Sequence, residues 1–265
     1  EGVTLTVEAG VEIVSNTNKE LFYVNGSVRV LGSPDSPVRI SSKGAVFYPK
    51  NGQNALIEVR NASIDGQGTG SLVPPTGSSA SADYIFVNSD FNNLGSYSYI
   101  WYPLSFLAEG NVFTNSAGFS IGFDGRLGDP APVFRNNLFI GAPKSTYGKQ
   151  YWIEAWASYG STLDVQRNSF TGGPYTAILT TSSYDTSPLN ATNNFWGTTD
   201  PVAIAAMVLD NSDGLDYGTR IDTTNALTAP DSGTPTALRY KIPTQAASSP
   251  ATKATTDNGA SYQQI

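Results

Sequence analysis

Asn111-Val112-Phe113 returns as Asn137-Leu138-Phe139, as Asn168-Ser169-Phe170 and as Asn193-Asn194-Phe195, an Asn two residues ahead of an aromatic each time. Counted on the aromatics, Phe91 is followed by Phe113 after 22 positions, Phe139 after 26 more, Phe170 after 31 and Phe195 after 25. A fixed phrase at a loose period in the twenties predicts a solenoid whose strands are constant and whose loops vary. Asn tolerates a left-handed corner, stacked amides can hydrogen-bond from turn to turn, and the ring that follows can stack in the core. These Asn residues therefore read as structural before they read as ligand contacts.

Upstream the same texture continues in shorter pieces. Val3 to Val7 and Val11 to Val14 alternate apolar and polar around Glu8-Ala9-Gly10, which predicts two short strands joined by a tight corner. Phe22 and Val24 precede Asn25-Gly26, then come Val28-Arg29-Val30, the turn run Gly32 to Pro37, and Val38-Arg39-Ile40. Strands this short and this dense do not build a sandwich; they suit the faces of a β-helix. The runs Leu5 to Val14 (LTVEAGVEIV) and Leu21 to Ser42 (LFYVNGSVRVLGSPDSPVRISS) resemble the first rungs of right-handed parallel β-helix proteins, the architecture of pectate lyases and many bacterial surface proteins. Asn193 to Pro201 (NNFWGTTDP) resembles the final rung and capping segment of that group. The resemblance covers residues 1–230. It implies an all-β, right-handed parallel β-helix, with capping within 193–230, and it specifies fold more strongly than activity.

Two interruptions stand out. Gly66 to Ala82, with Gln67-Gly68-Thr69-Gly70 and Pro74-Pro75, reads as a long loop leaving the coil. Pro201 to Leu209 reads as a short capping helix with Val202, Ala205, Ala206 and Leu209 on one face, covering the open strand edge of the last rung. Residues 231–265 are rich in Ser, Thr, Ala and Pro and read as a linker or tail, although Leu238 to Ile242 could strap along the coil. With Glu1 at its start and Met207 as its single Met, the chain is expected to be a processed or excised piece whose targeting signal lies elsewhere.

Composition narrows the chemistry. Fifteen Lys and Arg against 22 Asp and Glu give a net charge of −7, which repels phosphate backbones and argues against nucleic-acid partners. No apolar run has transmembrane length. The absence of Cys removes disulfides, thiolate metal sites and thiol catalysis, and the absence of His removes His-based triads and most zinc sites.

Aromatics gather in two stretches, Tyr97, Tyr99, Trp101 and Tyr102, then Tyr147, Tyr151, Trp152, Trp156 and Tyr159. Rings with a polar rim can stack on the C–H faces of sugars while Asn, Asp and Glu bind hydroxyls. Tyr97, Tyr99, Trp101, Tyr102, Tyr151, Trp152 and Trp156 are thus the candidate ligand-binding residues; the competing reading makes alternate members core side chains of strands. Trp196 is expected to pack the cap. Asp83, Asp90, Asp124, Asp129, Glu154 and Asp185 are the acidic groups near these loops. Two carboxylates across a groove could hydrolyse a glycoside, with Asp124 and Glu154 as the candidate catalytic pair, and Asp124 and Asp129 are the candidates for a calcium site. Gly122 to Arg126 remotely resembles a motif of β-helix alginate epimerases, without the His expected there, and no RxPxxR arrangement of the pectate-lyase type is present.

The expectation is an extracellular or surface-displayed β-helix serving as a structural, adhesive or carbohydrate-recognising module of a larger protein. Its expected partners are a polysaccharide or cell-surface glycan and flanking domains, with no nucleic acid and no membrane insertion, and no cofactor beyond candidate calcium. The alternative is a polysaccharide-active hydrolase, lyase or epimerase using groove carboxylates or a Tyr or Lys base. A spacer without a ligand is the third reading.

Overall fold

Short strands with one apolar face are stable only when stacked, and stacking is what the computed structural model shows. It describes residues 3–50, 55–74, 82–124, 126, 128, 130–145, 150–159, 163–181 and 188–241, and the backbone of strands 254–255 and 261–262. The chain is a parallel β-solenoid. Its first sheet has nine strands, from Val3–Glu8 through Gly26–Leu31, Ala55–Arg60 and Ala82–Val87 to Ile221–Asp222. The second has seven, from Glu12–Ser15 to Ser169–Thr171, and the third has five, Ser98–Trp101, Phe119–Asp124, Ile153–Tyr159, Ile178–Thr181 and Val208–Leu209. Phe22–Val24 and Phe47–Pro49 extend the third face toward the start of the coil, through bonds from Phe47 N–H to Leu72 C=O and from Tyr99 N–H to Val73 C=O. With neighbours about 4.8 Å apart, nine strands make a stack on the order of 40 Å long.

The corner between the first and second sheets explains the repeated phrase. Asn61, Asn88, Gly110, Asn136, Arg167 and Asn193 all occupy it with positive φ, between 49° and 65°. The residue after each corner enters the second sheet, and in the later turns it is a buried Asn. Asn111 Nδ2 donates to Asn137 Oδ1 (3.0 Å), Asn137 to Asn168 (2.9 Å) and Asn168 to Asn194 (3.1 Å). Each of these Oδ1 atoms also accepts the backbone N–H of the preceding ladder Asn. Two residues further on, Phe91, Phe113, Phe139, Phe170 and Trp196 form one column with centroids 4.9–5.0 Å apart and planes within 19°. The last repeat is therefore Asn194-Phe195-Trp196, one residue later than the phrase Asn193-Asn194-Phe195 suggests. Asn193 is the corner, and Trp196 rather than Phe195 continues the stack.

Three other expectations are revised. The stretch from Gly66 is not all an excursion: Leu72 is fully buried, and Ser71 and Leu72 accept bonds from Val46 and Phe47 in the coil wall. Within Gly66 to Ala82, residues 75–81 lie outside the described part. The helix is only Pro201–Ala205, N-capped by Asp200, whose carboxylate accepts Val202 N–H at 3.0 Å. Val202 is 76% exposed, while Ile204 and Met207 are buried, so the covering face is not the one expected. Leu209 belongs to the strand Val208–Leu209 on the third sheet, because a five-residue helix ends before it. No helix among the described residues is long and apolar enough to cross a membrane.

The tail begins as a strap. Asp231 accepts from Asn136 Nδ2 (2.9 Å), Thr234 Oγ1 donates to Arg167 C=O (2.7 Å), and the N–H groups of Arg239 and Tyr240 both donate to Asp90 Oδ2 (2.5 and 2.7 Å). Tyr240 Oη also lies near Asn61 and Asn88, so residues 231–240 run back along the corner. The strap covers Asp90, which is in register on the second sheet with Val112 and Leu138, both also buried.

Candidate functional site

The third sheet positions the site by simple alternation. Ser98, Ile100, Phe119, Ile121, Ile153, Ala155, Ile178 and Thr180 are buried, so their neighbours point outward. Parallel register then lines the outward residues up in two rows. Tyr99, Ser120, Glu154 and Leu179 form one; Trp101, Gly122, Trp156 and Thr181 form the other.

These rows unite the two aromatic stretches. Trp101 and Trp156 come from strands two rungs apart, yet their ring centroids are 4.4 Å apart at 66°. The strand between them contributes Gly122, which has no side chain to hold them apart; a Cβ there would already touch Trp156 at 3.5 Å. Tyr99 stacks on Trp156 (5.7 Å, 24°), Tyr97 meets Tyr99 edge-on (6.4 Å), and Tyr102 meets Trp101 edge-on (5.0 Å). Tyr97, Tyr99, Trp101, Tyr102 and Trp156 are all half-buried. The indole Nε1 of Trp156 is buried and meets no acceptor among the described residues.

Beside the rings lies an open cleft of about 290 Å³ lined by Tyr99, Glu154, Trp156 and Thr181. Glu154 is 6% exposed and accepts hydrogen bonds from the hydroxyls of Ser120 and Tyr151, with Thr181 Oγ1 at 3.4 Å. Burial, reinforced by the Glu154 carboxylate, pushes the Tyr151 phenol well above its ordinary value. Burial does the same to Tyr99, with smaller contributions from Tyr97 and Glu154.

Two candidates have other roles. Trp152 is fully buried, packs on Phe139 at 5.3 Å and donates Nε1–H to Gly141 C=O at 3.1 Å, so it is part of the core and not of a surface site. Tyr151, 5% exposed, supports Glu154 through its hydroxyl instead of presenting a ring face. The alternation in Trp152-Ile153-Glu154-Ala155-Trp156 separates the inward Trp from the outward one, but only the register with Gly122 reveals what Trp156 meets.

Asp124 stands apart from the cleft. Its carboxylate takes Arg126 Nε at 2.9 Å and Nη2 at 2.7 Å, and the guanidinium holds it below the usual carboxylate range. Asp124 lies four residues beyond Ser120, the strand partner of Glu154. At about 3.3 Å per residue that is on the order of 13 Å along the strand, whereas paired glycosidase carboxylates sit within about 10 Å. The same ion pair occupies both Asp124 oxygens with a cation, the reverse of what a calcium ligand needs. Among the described residues no group of three acidic side chains could hold a metal. Asp129, Tyr147 and Asp185, and the side chain of Tyr159, lie outside the described part.

The sequence does not single out Ser120 or Thr181, and it brings in Gly122 only as the start of the epimerase-like stretch. The signal for Ser120 and Gly122 was present in the alternation Phe119-Ser120-Ile121-Gly122-Phe123, which places both outward. Comparison with protein-family models, with curated proteins and with solved structures yields no match for this chain.

Proposed function

We propose that this β-solenoid is a glycan-recognising module of a larger secreted or surface-displayed protein, and that it binds saccharide over the cleft lined by Tyr99, Glu154, Trp156 and Thr181, with Trp101 beside it. The observation that carries this reading is an open cleft on one outward sheet where half-buried aromatic rings meet a carboxylate. Rings take the C–H faces of a sugar, and the carboxylate accepts from its hydroxyls. The likeness to the right-handed β-helix proteins of bacterial surfaces agrees with an extracellular, adhesive setting.

The enzymatic alternative has less support. Asp124 lies four residues along the strand from the partner of Glu154 and has both oxygens held by Arg126, and phenols raised by burial are poor general bases near neutral pH. An array of neutral and acidic glycans, run beside a turnover assay on the same polysaccharides, tests the proposal. Wild-type chain is expected to bind without turnover, and Trp101→Ala with Trp156→Ala is expected to weaken binding by about tenfold or more while leaving the thermal midpoint within a few degrees. Turnover that is lost in Glu154→Gln would install the enzyme reading instead. Silence across the array would leave a spacer or protein-binding adhesin.

A further inference from the structure

The third face carries a second aromatic pair that the cleft does not use. Tyr23 and Tyr48 are partners in the parallel pairing of Phe22–Val24 with Phe47–Pro49; their rings are 5.2 Å apart, and Tyr23 is 67% exposed. Phe22 and Phe47 turn inward and stack at 5.8 Å, which fixes Tyr23 and Tyr48 on the outside. Tyr23 Oη donates to Glu20 Oε2 at 2.7 Å, so here too the rings stand beside a carboxylate. The backbone bonds through Leu72 and Val73 carry this row onward to Tyr99, then by register to Ser120 and Glu154. One face thus repeats the same chemistry twice in a line. At about 4.8 Å per rung the distance from Tyr23 to Glu154 is on the order of 24 Å.

Resting on the glycan reading above, we infer that Tyr23 and Tyr48 form a second binding station, and that the ligand is an extended neutral polysaccharide lying lengthwise along the third face. Repeated stations ask for a ligand with repeated units, which a monosaccharide or compact glycan lacks. The charge argues for neutrality. Among the described residues Glu154 at the cleft has no free guanidinium beside it, because Arg126 is committed to Asp124. Glu20 at the other station is offset by the exposed Lys19 and Lys50, and the chain as a whole carries −7, so a polyuronate would meet like charge at the cleft and no net positive charge along the row.

The test uses the whole chain and size-fractionated oligomers, from dimer to decamer, of a β-1,4-glucan, a β-1,3-glucan, a β-1,4-xylan and an α-1,4-glucan, with polygalacturonate oligomers as the acidic control. Affinity is read by calorimetry, and folding of every variant by circular dichroism. For at least one neutral series, Kd should fall with length and level off once the oligomer spans both stations. The double variant Tyr23→Ala, Tyr48→Ala should weaken the decamer about tenfold and leave the shortest binding oligomer unchanged, while Tyr23→Phe, Tyr48→Phe should retain most of the decamer affinity. Length-independent binding that depends only on Trp101 and Trp156 would overturn the second station and leave the cleft intact. Preference for polygalacturonate would overturn the neutral chain. No binding by any oligomer would remove both this inference and the glycan reading beneath it.

Discussion

Asn193 and Asn194 look interchangeable as text and do different work. Asn193 turns the corner at a φ of 57°, a conformation that costs most L-residues about 1 kcal/mol. Asn194 is fully buried; its Nδ2 donates to Val165 C=O and Ala191 C=O at 2.7 Å each, and its Oδ1 accepts from Asn168. Removing Asn194 would strand several buried groups, each costing about 1–3 kcal/mol when left unsatisfied. Asn194→Ala is therefore expected to cost about 2–4 kcal/mol and Asn193→Ala about 1 kcal/mol, measured by urea unfolding. The opposite order would restore the phrase Asn193-Asn194-Phe195 as the true repeat. Gly122 is informative in another way: it sits between Trp101 and Trp156 in their row, where a Cβ would meet Trp156 at ordinary contact distance, 3.5 Å, and any longer side chain would compete for the space where the two indoles meet.

Among the elements, the strap of residues 231–240 is held by side chains and backbone rather than by sheet pairing. Its far end rests on Asp90, a carboxylate only 2% exposed, with Arg239 N–H and Tyr240 N–H on one oxygen and the Arg239 guanidinium 3.7 Å from the other. Burial raises the Asp90 pKa even against these partners. Asp90→Ala deletes the anchor without touching the stack of rings, so the strap should detach locally. Limited trypsinolysis should then cut after Arg239 and Lys241 at least several-fold faster than in wild type, with the coil's circular dichroism unchanged. Asp90→Asn keeps an acceptor oxygen and should stay close to wild type. Equal cleavage of all three proteins would mean that Asp90 does not hold the strap.

For the molecule as a whole, the sign of the carboxylate shifts fixes the response to acid. Burial disfavours ionised Glu58, but Arg60 and Arg29, at 2.6 and 2.7 Å, outweigh it and leave its pKa lowered. Burial likewise opposes Asp210 at the far end, and bonds from Ser212 and Ile221 N–H reverse the balance. A carboxylate lowered by folding contributes stability that is complete above its unfolded value, near 4, and is lost as pH falls through the folded value. Asp90, raised, acts in the opposite direction. With Glu58, Asp210 and Asp124 on one side and Asp90 on the other, the urea midpoint should be flat from about pH 7 to 5 and fall below about pH 4. Glu58→Gln should flatten that acid limb. A midpoint that rises on acidification would show that Asp90 dominates.

The sequence by itself determined the solenoid, because stacking repeats the same local problem on every turn: a corner that tolerates positive φ, a polar group that can bond its copy, and a ring that can stack on its copy. Asn111, Asn137 and Asn168 with Phe113, Phe139 and Phe170 are legible for that reason, and so are the outward positions of strands such as Phe119 to Phe123. Register across loops of unequal length is not written locally. Whether Trp101 faces Trp156 depends on how many residues each intervening loop holds. The burial of Trp152, the path of the strap to Asp90 and the alignment of Tyr23 and Tyr48 with Tyr99 depend on packing between segments far apart in the chain. Only the tertiary structure decided those contacts, and the meeting of Trp101 with Trp156 that builds the candidate site is one of them.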